Sequence, residues 1–77
     1  MKTIKIYGSG CPTCQRLKIL VENIVKENKI IANVEYSDDF AEMAKLGIMS
    51  IPAIVIDGVV KSSGNIPKKD EILRWLV

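Results

Sequence analysis

The spacing of apolar residues changes period at one point in this chain, and that point holds both of its cysteines. From Lys2 to Tyr7, Ile4 and Ile6 alternate with Thr3 and Lys5, the two-residue period of a strand. After Gly8-Ser9-Gly10 the period becomes helical: Leu17, Leu20, Val21, Ile24 and Val25 recur at threes and fours, with Lys18, Glu22, Lys26 and Glu27 on the other side. A strand that runs through a short turn into an amphipathic helix returns to its own sheet. The right-handed crossover then makes the next strand parallel to the first. Cys11-Pro12-Thr13-Cys14 occupies the junction.

The remaining elements follow from local signals. Residues 30 to 36, with Ile30, Ile31, Val34 and Tyr36, read as a second strand reached through a turn at Asn28-Lys29. Asp39, followed three residues later by Glu42, reads as an acidic capping box. It opens a short helix with Phe40, Met43 and Ala44 inward and Gly47 at its end. Ala53 to Ile56 and Val59-Val60 flank Asp57-Gly58, a dipeptide suited to a two-residue hairpin turn. Ser62-Ser63-Gly64-Asn65 reads as a loop, and Pro67 suits the first position of a last helix with Ile72, Leu73, Leu76 and Val77 as its buried stripe. The expected fold is α/β, in the order βαβαββα: a four-stranded mixed sheet flanked by three helices, one domain over residues 1–77.

Composition narrows the function classes. With 77 residues the core is small and nearly every apolar side chain is needed to fill it; the sequence has no internal repeat, low-complexity tract or linker. At 48% hydrophobic and 26% charged residues the chain belongs with folded soluble proteins. A formal charge of +2, with Lys68-Lys69 beside Asp70-Glu71, makes no case for a nucleic-acid partner. No apolar stretch nears the roughly 20 residues that cross a bilayer, and the alternating Met1 to Ile6 segment is unlike a secretory signal. No membrane association and a cytoplasmic location are therefore expected, with the chain working as a monomer.

The chain has no histidine, which removes His-based acid/base catalysis, a Cys-His dyad and mixed Cys/His zinc sites from a single chain. A disulfide across two cysteines three apart removes little chain entropy, so the pair does not serve as a staple. Chemistry must come from sulfur. Cys11 falls near the cap of the first helix with Pro12 at the first helical position. Free backbone amides and the positive end of the helix dipole there favour thiolate and should hold its pKa below about 8.5. Cys14 lies one turn further in on the same side, continuing toward Leu17 and Val21. In a redox reading Cys11 attacks a partner disulfide and Cys14 then attacks Cys11 to release the reduced partner. The alternative is a soft-metal carrier, since two thiolates suit copper(I). A third reading is an interaction module with incidental thiols.

Two motifs, Gly8-Ser9-Gly10-Cys11-Pro12-Thr13-Cys14 after the first strand and Ile51-Pro52 before the third, resemble the thioredoxin and glutaredoxin superfamily, especially its short thioredoxin-like redox-active disulfide members. The element order is similar to the minimal thioredoxin architecture, and the resemblance covers nearly the whole chain. It implies a protein disulfide oxidoreductase with Cys11 as nucleophile, Cys14 as resolving thiol and Pro52 as a cis-proline packed against the pair. It also implies that Ile51, with Pro12 and Thr13, meets the incoming peptide. Disulfide-containing proteins would be the substrates and a thioredoxin-reductase-like enzyme the electron donor. The Cys11–Cys14 disulfide would be the redox group, with no cofactor and no metal. The sequence departs from the family pattern at Gly10, where thioredoxins usually carry tryptophan, and at Lys5, where they place a buried acid. Ser62 to Asn65 lacks the glutathione-holding segment of glutaredoxins.

Other residues have plainer expected roles. Tyr7 reads as filler at a strand end, Trp75 as a core cover, Met43 and Met49 as gap fillers, and Lys5 and Lys18 as solvated lysines.

Overall fold

A computed structural model describes residues 2–76. Strand β1 (Lys2–Tyr7) leads through Gly8 to Cys11 into helix α1 (Pro12–Glu27), followed by β2 (Ala32–Ser37), α2 (Phe40–Lys45), β3 (Ala53–Ile56), β4 (Val59–Ser63) and α3 (Lys69–Leu76). The sheet order is β2-β1-β3-β4, with β1 parallel to β2 and antiparallel to β3, and β3 antiparallel to β4. The two central strands carry the most apolar faces. All four residues of β3 are buried, because helices cover both sides of the sheet there.

Alternation along β1 sorts its side chains. Ile4 and Ile6 point to the face covered by α1 and α3, where Leu17, Val21 and Ile24 meet Ile54, Ile56, Ile72 and Leu76 in the main core. Tyr7 points to the opposite face, where it packs with Met43, Ile48, Ala53 and Val55 beneath α2. The hairpin turns on Asp57 (φ 51°) and Gly58 (φ 84°), both left-handed as a primed turn requires, and Ile56 pairs with Val59 across it. Asp57 also ties the turn to β1: its carboxylate accepts from the Thr3 amide at 3.0 Å, and its own amide donates to the Thr3 carbonyl at 2.9 Å.

Several local expectations change once tertiary contacts act. The second strand begins at Ala32 rather than Ile30, and Ile31 is exposed. Ser62 and Ser63 belong to β4, because pairing with Ile54 and Ala53 supplies the partners their backbone needs. Pro67 is buried but precedes the last helix, which starts at Lys69 and whose first backbone bond runs from the Ile72 amide to the Lys68 carbonyl. Phe40 (63% exposed) and Ala44 face solvent, since a helix of six residues has one turn to bury and Met43 takes it. Met49 is 96% exposed and fills no gap. Met43 and Trp75 do pack against the two cores. Val77, expected in the buried stripe of the last helix, lies outside the described residues.

These burials set an expected contrast in stability. Truncating Ile54→Ala should lower the denaturant-unfolding free energy by about 2–5 kcal/mol, because it opens a cavity between α1 and the sheet. Phe40→Ala should stay within about 0.5 kcal/mol of the parent. Equal losses at the two positions would contradict the packing described.

Candidate active site

The site forms where β1 stops and α1 starts. Gly10 turns the chain in a left-handed conformation (φ 81°), and its carbonyl accepts from the Gln15 side-chain amide at 3.0 Å. Cys11 is extended and caps α1, its sulfur accepting from the Cys14 amide at 3.3 Å while its carbonyl takes the Gln15 amide at 3.0 Å. Pro12 occupies the first helical position, where no amide hydrogen is needed. The two sulfurs are joined as a disulfide, with Cα atoms 5.2 Å apart. Pro12 and Thr13 are exposed, Cys11 is half-buried and Cys14 is fully buried.

Why Cys14 is sealed becomes clear at Gly8, which the sequence marks only as part of a turn. A Cβ placed on Gly8 would meet Cys14 Sγ at 2.6 Å, Cys14 Cβ at 2.7 Å and the Tyr36 hydroxyl at 2.8 Å. No side chain fits there. The Gly8 amide donates to the Ser37 carbonyl at 3.0 Å, which holds the turn against the end of β2, and the Gly10 amide donates to the Tyr36 hydroxyl at 2.7 Å. Sequence pattern marks Tyr36 only as a strand residue. Its part here depends on the parallel β1–β2 register, which pairs it with Ile6, two residues before Gly8.

The Ile51–Pro52 peptide bond is cis and Pro52 is buried. Because Ala53 pairs with Tyr7 in the antiparallel β1–β3 ladder, Pro52 arrives at the end of β1 where the cysteine turn begins. Its carbonyl accepts from the Gly64 amide at 2.9 Å. Ile51 is partly exposed beside it.

On the opposite face of the sheet, Glu42 departs from the expected capping box. Asp39 caps α2 through Oδ1, which accepts from the Ala41 and Glu42 amides at 3.0 and 3.2 Å, but Glu42 does not reach back to it. Instead Glu42 Oε1 accepts from both Lys5 Nζ and the Tyr7 hydroxyl, and the ammonium lies 5.4 Å from the centre of the Tyr7 ring. Lys5 is therefore a paired lysine and not a solvated one. The Lys5 bond holds the Glu42 carboxyl below its ordinary range, and the same bond raises Lys5. Burial, then the bond to Glu42, raises Tyr7. The three groups line a cavity of about 360 Å³ with Lys45, Leu46 and Val55, and neither cysteine borders it.

A family model for the thioredoxin domain matches residues 2–77. The chain belongs to the thioredoxin domain family. It is 34% identical over 76 residues to a thioredoxin of Methanothermobacter thermautotrophicus, covering 99% of both chains. It is 33% identical over 76 residues to a thioredoxin of Methanocaldococcus jannaschii, covering 99% of this chain and 87% of that one. Among solved structures, a point mutant of a thioredoxin from Halobacterium salinarum superposes with a TM-score of 0.74 at 20% identity, covering 97% of this chain and 71% of the other. The oxidised thioredoxin of Plasmodium falciparum gives 0.69 at 15% identity, covering 99% and 82%. The fold is thus thioredoxin-like, and the family with the Cys11–Cys14 pair supports thiol–disulfide oxidoreductase activity in general. A helix, α2, stands between β2 and β3, whereas soft-metal carriers of the ferredoxin-like fold follow their first helix with a strand pair.

Two outcomes are expected. Gly8→Ala should cost about 1–3 kcal/mol of stability through overpacking against Cys14 in the oxidised protein. A stability unchanged from the parent would mean the turn is not packed as described. The second concerns Glu42, whose lowered folded-state value contributes stability above the ordinary glutamate pKa of about 4.3. That contribution fades as pH falls through the lowered value. The stability gap between parent and Glu42→Gln should accordingly be present at neutral pH and close on acidification. A gap independent of acid would remove the pairing with Lys5 and Tyr7 as its source.

Proposed function

We propose that this chain reduces or exchanges disulfides in other proteins through a cycle of the Cys11-Pro12-Thr13-Cys14 segment. The observation that carries the reading is the unequal placement of the two sulfurs: Cys11 half-exposed at the start of α1, Cys14 buried under Gly8. In the reduced protein the first-turn amides and the helix dipole favour a thiolate on Cys11, and α1 has no acidic residue in its first turn to oppose it. Thiolate is the attacking species.

Cys11 Sγ attacks one sulfur of the partner disulfide, forming a mixed disulfide and expelling the other sulfur as a thiolate that takes a proton from water. Cys14 loses its proton and attacks Cys11 Sγ, and the partner leaves with its second sulfur as a thiol. Two electrons pass to the partner, and the Cys11–Cys14 disulfide remains. Ile51, with its backbone beside the cis bond, and the exposed Pro12 and Thr13 form the rim over which the partner's chain lies. Pro52 keeps this rim close to the pair without adding an amide donor that would need satisfying. A thioredoxin-reductase-like enzyme returns the electrons. The disulfide itself is the redox group, and the chain acts as a cytoplasmic monomer.

Turnover of an insulin-like protein disulfide in the presence of a dithiol reductant tests this. The parent should reduce it and Cys11→Ser should lose about 99% of the rate or more, equivalent to a barrier raised by at least about 2.7 kcal/mol when the nucleophile is lost. Cys14→Ser should instead trap a covalent adduct with the partner through Cys11. Equal rates for parent and Cys11→Ser would overturn the reading.

A further inference from the structure

We infer that Tyr36 is a positioning residue for the second half of this cycle, its hydroxyl hydrogen stabilising the thiolate of Cys14 as that sulfur resolves the mixed disulfide. The inference rests on the redox reading above. The tyrosine sits at the end of β2, and its hydroxyl oxygen and Cys14 Sγ border a single point above Gly8, 2.8 and 2.6 Å from it. Gly8 brings the two groups together by having no side chain to separate them.

The bonding of the hydroxyl leaves its hydrogen available. Tyr36 Oη accepts from the Gly10 amide at 2.7 Å, which fixes the oxygen, while among the described residues no protein oxygen or nitrogen takes its hydrogen. Cys14 Sγ in turn has no donor among the described residues in the disulfide form, where it carries no charge. In the reduced protein Cys14 is a thiol, and once the mixed disulfide has formed on Cys11 a buried thiolate must appear at this spot for Cys14 to resolve it. An anion there is costly without a donor, and the tyrosine hydroxyl, which borders the same point above Gly8 as the sulfur, is placed to serve.

Other groups around Cys14 leave this role to Tyr36. The ammonium of Lys18, one turn along α1, lies over the Tyr36 ring, 6.0 Å from its centre. Asp38 is exposed beyond β2, and Lys69 of α3 is bonded to Glu27 at the far end of α1. Lys5, Tyr7 and Glu42 form their network on the opposite face of the sheet.

In the step itself, Cys14 gives its proton to water, its thiolate forms a bond to Cys11 Sγ, and the bond between Cys11 and the partner breaks. Tyr36 keeps its own proton throughout. A bond donated to the thiolate lowers the pH at which Cys14 ionises but also lowers its nucleophilicity, with a Brønsted slope of about 0.4–0.5. The two effects oppose each other, and their balance depends on pH.

The test uses the reduced protein with one equivalent of an aromatic disulfide reagent whose released thiolate absorbs visible light. The first release reports attack by Cys11 and the second reports resolution by Cys14. For Tyr36→Phe, the first phase should match the parent. The pH midpoint of the second phase should move up by about one pH unit, the scale of a hydrogen bond to a charged group. At neutral pH resolution should be about threefold slower, and above both midpoints it should equal or exceed the parent, so the two profiles cross. Identical profiles, or slowing by the same factor at every pH, would overturn the inference. Failure of the parent to release the first thiolate would instead overturn the redox reading and this inference with it. Should Tyr36→Phe fail to fold, the reduced parent supplies the answer: the NMR shift of the Tyr36 ring carbon bearing oxygen should titrate with Cys14 and be flat in Cys14→Ser. A flat response in both proteins overturns the inference.

Discussion

The seating of α1 on the sheet is the constraint from which the rest follows. Leu17, Val21 and Ile24 fill the space above Ile4, Ile6 and Ile54, and all six are fully buried. Each such side chain contributes about 1.5–3 kcal/mol by leaving water, in a chain too short to lose more than one or two of them. With that stripe fixed, the helix can begin only above the end of β1. Its first turn carries Cys14 inward onto Gly8 and leaves Cys11 at the edge. The chemistry of the pair therefore depends on packing two turns away from it.

The two faces of the sheet divide the work. The α1 face holds the sulfurs, Tyr36 and the larger core, while the α2 face carries a polar cluster in which Glu42 receives both Lys5 and Tyr7. That cluster is partly open to water, with 29% and 36% of the Lys5 and Glu42 side chains exposed, so solvent and salt weaken it. Its role is to fasten the six-residue α2, which buries Met43 alone among its own residues, to the central strand. A short helix with a single buried side chain needs such an anchor. Glu42 is drawn away from the cap because two donors on β1 face it, and Asp39 satisfies the cap amides without help.

Turn geometry explains how β3 and β4 bring the cis Ile51–Pro52 bond to the site. Asp57 and Gly58 close a tight hairpin, and the Asp57 carboxylate binds the start of β1 through Thr3. The opposite end of β3 must then lie beside the end of β1, which is where Pro52 and the cysteine turn meet. The hairpin and the redox turn are at opposite ends of one antiparallel ladder.

Local chemistry in the sequence determined the element order, the Asp57-Gly58 hairpin, the Asp39 cap and the position of Cys11 at a helix start, because each depends on residues within a few positions of one another. The inward choice of Cys14 over Thr13 was legible for the same reason, from its place on the Leu17–Val21 stripe. Tertiary structure alone decided what those residues touch across the chain. It set Glu42 against Lys5 and Tyr7 instead of its own cap, left Phe40 and Met49 in water, extended β4 through Ser63 and started the last helix after Pro67. It also brought Gly8 and Tyr36, 28 positions apart in the chain, to one sulfur. Contacts of that kind arise from strand register and from the close approach of backbones. No periodicity or spacing records them, because the residues that meet are chosen by the whole sheet.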